Sequence, residues 1–203
     1  MGENKTNPIA WVDVTTQDAA TGELAAAYDA VKGPDGRVEN LYLAMSQTPK
    51  AIVPADAHYL ALLHNPDNPL KPALAEFIST YVAILCGSAY AVANHGENFC
   101  HYMNDRPLAD KMLASLHDET WPVTLQDPGF LAAVRYAQKL SLTPQDMNAE
   151  DVEILRDAGF CDKGISYIIQ LVASFAYWAR MINGLGTQLG ADVGLAQTPH
   201  PSQ

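Results

Sequence analysis

The sequence predicts an all-α protein. Residues that begin and end helices recur along its whole length, whereas the alternation typical of a β-strand occurs only in the short Trp11-Val-Asp-Val segment. With 203 residues, of which 48% are hydrophobic, the chain is long enough to bury a core in one domain. We therefore predict a single helical domain over residues 1–190 and a disordered tail over residues 191–203.

Caps and prolines predict four helices in the N-terminal half. The first begins after Thr15 or Thr16 as N-cap and ends at Gly33-Pro34. A short helix near residues 41–46 ends before Pro49, and another follows over residues 51–64 with apolar side chains at spacings of three and four. Pro72 suits the first turn of a fourth helix. We expect that helix to reach about residue 86.

The C-terminal half shows the same punctuation. Gly87 is expected to break the helical run, and a new helix follows over residues 88–103. Arg106-Pro107 begins another, and a loop over residues 117–126 leads to Asp127 as N-cap with Pro128 at the first helical position. Asn148 precedes a helix with acids in its first turn, ending at Gly159. Asp162 is predicted to cap the last helix, to about residues 189–190.

The last predicted helix is apolar nearly all round, which favours a central position or a subunit contact. Its residues of this kind are Ile165, Ile168, Ile169, Val172, Phe175, Trp178, Ile182 and Leu185. Because one small domain rarely covers so much apolar surface, we predict a homo-oligomer.

Composition excludes several classes of partner. The formal charge of −11 is repulsive for nucleic acid and for an anionic membrane. The N-terminal residues lack the pattern of a signal peptide, and no run approaches the ~20 apolar residues of a membrane span. Three cysteines, Cys86, Cys100 and Cys161, include no Cys-x-x-Cys and do not resemble a secreted disulfide framework. We predict a cytoplasmic protein with reduced thiols.

One motif carries chemical information. Glu76 is followed twelve residues later by Ser88, then by Ala91 and His95 at intervals of three and four. This spacing resembles the Glu-x11-Cys-x2-Cys-x3-His pattern of the AhpD-like (alkylhydroperoxidase D-like) and carboxymuconolactone decarboxylase superfamily, with Ser88 and Ala91 in place of the two cysteines. The resemblance to the peroxidase-related branch of that superfamily extends over most of the chain. The further matching stretches are Ala20-Thr-Gly-Glu-Leu, Tyr28-Asp-Ala-Val-Lys, Tyr136-Ala-Gln-Lys-Leu, Asp157-Ala-Gly-Phe and Ala179-Arg-Met-Ile-Asn-Gly-Leu-Gly.

The resemblance implies an AhpD-like helical domain in which Glu and His relay protons for a peroxide-reducing cysteine pair. A serine cannot replace the attacking thiolate, because an alcohol forms neither a stable sulfenate-like species nor a disulfide. We therefore expect no dithiol peroxidase activity. Ser88-x-Tyr90 with His95 is similar to a Ser-x-Tyr-Glu-Trp-x-x-His pattern of non-redox members, although Ala91 and Val92 depart from its Glu-Trp.

The candidate catalytic residues are Glu76, His95 and Ser88. Positions 88, 91 and 95 share one face of a helix. The resemblance implies, through the family spacing, that Glu76 and His95 meet at one cavity within hydrogen-bonding reach. Ala91 and Tyr90 are candidate substrate-binding residues on that helix; for Tyr90 a purely structural role as a core aromatic is the alternative.

Arg180 is the third candidate for substrate binding. It is a cation within an apolar helix and needs an anion or a route to solvent. A structural pairing with a carboxylate is the preferred interpretation, with Glu76 and Glu97 as the two partners the sequence offers. Substrate binding is the alternative.

Three functions remain as hypotheses. The first is a cofactor-independent enzyme in which Glu76 and His95 act as general acid and base on a small organic acid, by decarboxylation or isomerisation. The second is a non-catalytic homo-oligomeric binding protein, and the third is residual alkylhydroperoxidase activity through Cys86 or Cys100. We expect no metal, because the histidine pairs 58/64 and 95/101 are six residues apart, on different faces of a helix.

Overall fold

The computed structural model describes residues 9–190, and within them every regular element is helical. The ten α-helices are α1 Gly22–Val31, α2 Asn40–Ala44, α3 Pro49–Leu63, α4 Pro72–Leu85, α5 Ala89–Met103, α6 Arg106–His117, α7 Trp121–Thr124, α8 Pro128–Leu142, α9 Ala149–Asp157 and α10 Asp162–Leu185. Two 3-10 turns, Gln17–Ala19 and Pro144–Asp146, complete them. The predicted all-α class is confirmed. The predicted disordered tail lies outside the described residues.

Helix α4 is at the centre of the domain. All ten of its residues from Leu74 to Ala83 are buried, and it packs against α5, α8 and α10. Apart from Glu76, Ser79 and Thr80 these buried residues are hydrophobic, so the helix is stable only where other helices surround it. A second, smaller cluster joins α1, α2 and α3 to Trp178 of α10. The candidate site lies between these two parts of the core.

Several helix starts are where the sequence places them. Asp127 caps α8, and its side chain accepts hydrogen bonds from the backbone N–H groups of Gly129 and Phe130. Asn148 and Asp151 form a reciprocal capping box at the start of α9. Pro72 occupies the first turn of α4, where its missing N–H needs no partner.

Other boundaries differ from prediction. Helix α1 begins at Gly22 because Gln17–Ala19 forms a separate 3-10 turn, and the predicted loop at residues 117–126 contains α7. The N-cap of α10 is Cys161, and Asp162 is its first helical residue.

Helix α10 also ends at Leu185, earlier than predicted. Gly186 has a left-handed backbone with φ 63°, and a Cβ there would lie 2.1 Å from Cδ2 of Trp11. Glycine at this position both ends the helix and makes room for that ring.

By length and composition, helix α10 could cross a membrane. The expectation that no segment approaches the length and apolarity of a membrane span is therefore wrong for this helix. Half of its most apolar window is buried inside the domain against neighbouring helices. Core helices inside globular domains share this length and composition. On its outer side, Tyr177 is 49% exposed. The homo-oligomer and the cytoplasmic location stay predictions.

Candidate functional site

A helical hairpin brings the motif residues together. Gly87, with φ 65°, allows the chain to reverse between α4 and α5. Because α5 returns alongside α4, Glu76 on the first helix faces His95 on the second. The break that the sequence predicts at Gly87 is therefore the feature that assembles the pair.

Glu76 has hydrogen-bond partners for both of its carboxylate oxygens. His95 Nδ1 lies 2.7 Å from Oε2, and Asn98 Nδ2 donates to Oε1 at 3.2 Å. The side chain of Glu76 is 1% exposed, so this carboxylate has no contact with bulk water. Since a carboxylate accepts, the bond fixes the proton of the neutral imidazole on Nδ1. The predicted contact between Glu76 and His95 is confirmed.

A cavity of about 150 Å³ adjoins His95. Helices α1, α2, α3, α5 and α10 and the segment after α1 supply its walls. The His95 ring stands edge-on to Phe175, with ring centroids 4.6 Å apart, and Tyr59 lies 6.3 Å away on another side. His95 Nε2 has no hydrogen-bond partner among the described residues. This nitrogen is the one left for a ligand.

Two further carboxylates, which the sequence did not suggest, line the same cavity. Glu39, just before α2, accepts a hydrogen bond from Tyr90 at 3.5 Å, and Asp56 of α3 accepts one from Tyr42 at 2.6 Å. Burial raises the pKa of Glu39 and of Asp56, and the charge of His95 opposes the rise at Glu39 to a lesser extent. No local motif surrounds either residue. Only their meeting across the cavity marks them.

The structure brings some predicted site residues together and leaves others apart. Tyr90 and Ala91 line the cavity beside His95, and Glu76 lies behind His95. Ser88 does not line it; the residue is 1% exposed, and its hydroxyl has no hydrogen-bond partner among the described residues. A role for Ser88 in contact with substrate is therefore not supported by its position.

Arg180 lies away from the cavity. It is exposed to solvent and donates a hydrogen bond from Nη1 to the Ala176 carbonyl at 2.9 Å. The predicted pairing with a carboxylate is wrong, because Glu76 is held by His95 and Asn98, and Glu97 pairs with Arg106 at 2.9 Å. A long side chain on an outer helix face reaches water without a counter-ion.

The thiols are separate from the cavity. Cys86 is half-buried and Cys100 is buried, and neither contributes to the cavity wall. Burial is the main cause that raises the pKa of Cys100, which favours the unreactive thiol. Within residues 9–190, no group of three or more His, Cys, Asp or Glu side chains is arranged to hold a metal ion.

Comparison with known proteins identifies the fold. No protein-family model and no curated protein matches the chain. Among solved structures, an uncharacterized peroxidase-related protein from Ralstonia eutropha JMP134, with an alkylhydroperoxidase AhpD core, has a TM-score of 0.77 at 23% identity. The alignment covers 92% of this chain and 95% of that one. A peroxidase-related protein from Silicibacter sp. TM1040 has a TM-score of 0.76 at 21% identity, covering 94% and 96%.

A third neighbour has an activity in its name. It is a cysteine-to-alanine variant of the debrominase Bmp8 in complex with 2,3,4-tribromopyrrole, with a TM-score of 0.65 at 15% identity, covering 92% of this chain and 93% of that one. These likenesses extend over nearly the whole length of each protein. The chain therefore has the AhpD-like fold of the peroxidase-related proteins, with serine and alanine where the resemblance places the two cysteines.

Proposed function

We propose that this protein is a cofactor-independent enzyme that moves a proton on a small molecule, with His95 as the general acid and base. The observation that carries the proposal is the 2.7 Å bond from His95 Nδ1 to the buried Glu76, which leaves Nε2 to the cavity. A carboxylate behind Nδ1 fixes the tautomer and the ring orientation and stabilises the imidazolium when it forms.

The proposed step balances without an external reagent. Nε2 takes a proton from one atom of the substrate, the imidazolium is held by Glu76, and the same proton returns to a different atom. The substrate is thereby isomerised and the enzyme restored. In a decarboxylation, Nε2 first takes the proton of the substrate's carboxyl group. The carbon–carbon bond then breaks, carbon dioxide leaves, and the imidazolium returns that proton to the carbon that keeps the electron pair. Both reactions use the same two residues.

Thiol chemistry has little support at this site. The cavity wall carries Ala91 and no cysteine, and the Cys100 thiol is buried elsewhere, beside Asp110. The debrominase neighbour indicates that a protein of this fold can act on a small aromatic compound. Residual peroxidase activity is therefore the weaker hypothesis.

The organic-acid substrate is the part of the sequence-based hypothesis that the cavity favours least. Glu39 and Asp56 line the cavity, and a carboxylate ligand would have to approach both. Like charges in a partly desolvated site repel strongly. The acid and base roles of His95 and Glu76 do not depend on an acidic substrate.

Proton exchange tests the proposal on many candidate substrates at once. The protein is incubated in D₂O with panels of small ketones, amines and acids, and mass spectrometry detects deuterium uptake or loss of carbon dioxide. His95→Gln should reduce the rate about 100-fold or more, the usual contribution of a general acid or base. Glu76→Gln should reduce it as well, because the imidazolium loses its carboxylate.

His58→Ala is the matched control. His58 lies on α3, exposed and outside the cavity wall, so its loss should leave the exchange rate unchanged. If His95→Gln exchanges at the wild-type rate, His95 is not the proton carrier. If wild type exchanges no compound that it binds, the non-catalytic binding protein becomes the better description.

A further inference from the structure

The cavity wall has more hydrogen-bond acceptors without a described partner than donors. Glu39 and Asp56 each use one carboxylate oxygen to accept from a tyrosine, and the other oxygen has no donor among the described residues. Asn98, 3% exposed and also a wall residue, has an Oδ1 without a described partner. The Trp178 indole N–H is the corresponding unpartnered donor. A ligand that pairs with these wall atoms would therefore offer mainly hydrogen-bond donors.

The net charge of the wall is negative. Lys32 lies at the wall, but it is exposed and pairs with Asp29 at 3.1 Å. Any positive charge on His95 faces the carboxylate of Glu76. Glu39 and Asp56 have no cationic side chain within salt-bridge distance among the described residues. Partly buried carboxylates are stabilised by a paired cation, and residues 9–190 supply none to these two.

Aromatic rings enclose the same space. Tyr59 lies at the middle of the group, with ring centroids 6.4 Å from Trp178 and 6.5 Å from Phe175. Tyr42 and Tyr90 line the cavity as well and point their hydroxyls at the two carboxylates. Aromatic faces attract organic cations through their quadrupoles, most strongly where water is excluded. Rings combined with acidic groups suit a ligand with an apolar body and a positive head.

We propose that the cavity binds a small organic ammonium ion, with its N–H groups on Glu39 and Asp56 and its apolar part among the aromatic rings. The proposal rests on the proposed function for the identity of the site and names the substrate class of that site. A volume of about 150 Å³ limits the ligand to a compact molecule; an apolar cavity of roughly this size holds benzene. With the ammonium group held opposite, the body of the ligand faces His95 Nε2.

Matched ligands of one shape and three charges test the proposal. Binding of benzylamine, benzyl alcohol and benzoate is measured by calorimetry at neutral pH, where the amine is protonated. A second series with propylamine, propanol and propionate covers a smaller ligand. The ammonium form should bind about tenfold more tightly than the alcohol, a change that corresponds to about 1.4 kcal/mol. The carboxylate form should bind most weakly.

Isosteric variants assign the preference to its residues. Glu39→Gln combined with Asp56→Asn keeps acceptors for Tyr90 and Tyr42 but removes both charges. It should abolish the preference for the ammonium form and leave the affinity for the alcohol unchanged. Asp118→Asn is the control, because it removes one exposed charge away from the wall. Thermal unfolding of each variant confirms that it is folded.

The outcomes separate this inference from the proposed function. Equal or tighter binding of the carboxylate forms, or no preference for the ammonium form in either series, overturns the inference and leaves the proton-transfer role of His95 intact. A preference that survives in the double variant also overturns it. In contrast, His95→Gln should keep the ammonium preference while it loses proton exchange. Retained exchange in that variant removes the proposed function alone.

Discussion

Two sides of one cavity hold their carboxylates in different ways. On the α4–α5 wall, His95 and Asn98 line the cavity, and the Glu76 carboxylate lies buried behind them with both of its oxygens accepting hydrogen bonds. On the α2–α3 wall, formed by Glu39 and Asp56, each carboxylate has one tyrosine partner and one unused oxygen. A fully partnered carboxylate orients its neighbour and has no capacity for a ligand. A half-partnered one keeps an oxygen that a ligand can use.

Alanine substitution of Glu76 and of Glu39 should show the largest difference between the two walls. Glu76→Ala leaves the Nδ1–H of His95 and the amide of Asn98 buried without an acceptor. We expect the free energy of unfolding to fall by about 3 kcal/mol, since each unsatisfied buried group costs about 1–3 kcal/mol. Glu39→Ala removes one long hydrogen bond and relieves a desolvated charge, so it should change stability by less than about 1 kcal/mol. Urea denaturation measures both.

Similar losses in the two variants would contradict the distinction between the walls. Glu76→Gln is the control for Glu76→Ala, because it retains an acceptor and nearly the same volume. It should recover part of the lost stability. Failure to recover any would assign the effect to the charge of Glu76 and not to its hydrogen bonds.

The pH dependence of stability should sharpen the comparison. Burial raises the pKa of Glu39 and of Asp56 in the folded protein, so the native state binds more protons than the unfolded state between the ordinary carboxyl pKa and the raised one. Their contribution is therefore most favourable below about pH 4 and is lost as the pH rises through the native values. The free energy of unfolding of wild type minus that of Glu39→Gln/Asp56→Asn should fall across that range.

The charged and titrating groups that face these two carboxylates are His95, Lys32, Tyr42, Tyr59 and Tyr90. A control with the opposite sign comes from Asp151, whose pKa is lowered by its hydrogen bonds from Lys139 and from the backbone of Asn148. Its stabilising effect is present above the unfolded pKa and is lost as the pH falls. The free energy of unfolding of wild type minus that of Asp151→Asn should rise with pH. A curve of that sign for Glu39 and Asp56 would contradict the raised pKa values.

The smallest expected effect concerns Ser88, which lies at the junction of α4 and α5, outside the cavity. Its hydroxyl is buried without a described partner, so Ser88→Ala should leave stability unchanged or raise it by up to about 1 kcal/mol. Ser79→Ala is the control, because that hydroxyl donates to the Ala75 carbonyl at 2.8 Å and its loss should give less gain. Proton exchange should be unchanged in Ser88→Ala. A loss of proton exchange in this variant would show that Ser88 takes part in catalysis.

The sequence was sufficient for the α4–α5 wall because its signal is local. Pro72, Gly87 and the intervals between Glu76, Ser88, Ala91 and His95 lie within about two helices, and the resemblance of those intervals to the family pattern implies the contact between Glu76 and His95. Arg180 was misassigned for the opposite reason. An apolar helix suggests burial on every side, yet whether one position faces water depends on which neighbours cover it.

Local sequence patterns predicted the helical class, the cap at Asp127 and the start of α9 after Asn148, and the family resemblance predicted the pairing of Glu76 with His95. The packing of the helices shows that Glu39 and Asp56 share a cavity with His95, that Ser88 and Arg180 lie outside it, and that α4 is the central helix. The difference comes from the distance along the sequence between the residues that form each feature. Caps, turns and helix faces are set by residues a few positions apart. The wall of this cavity is set by how α2, α3, α5 and α10 pack. Residues between positions 39 and 178 meet there, and no local sequence pattern encodes contacts of that separation.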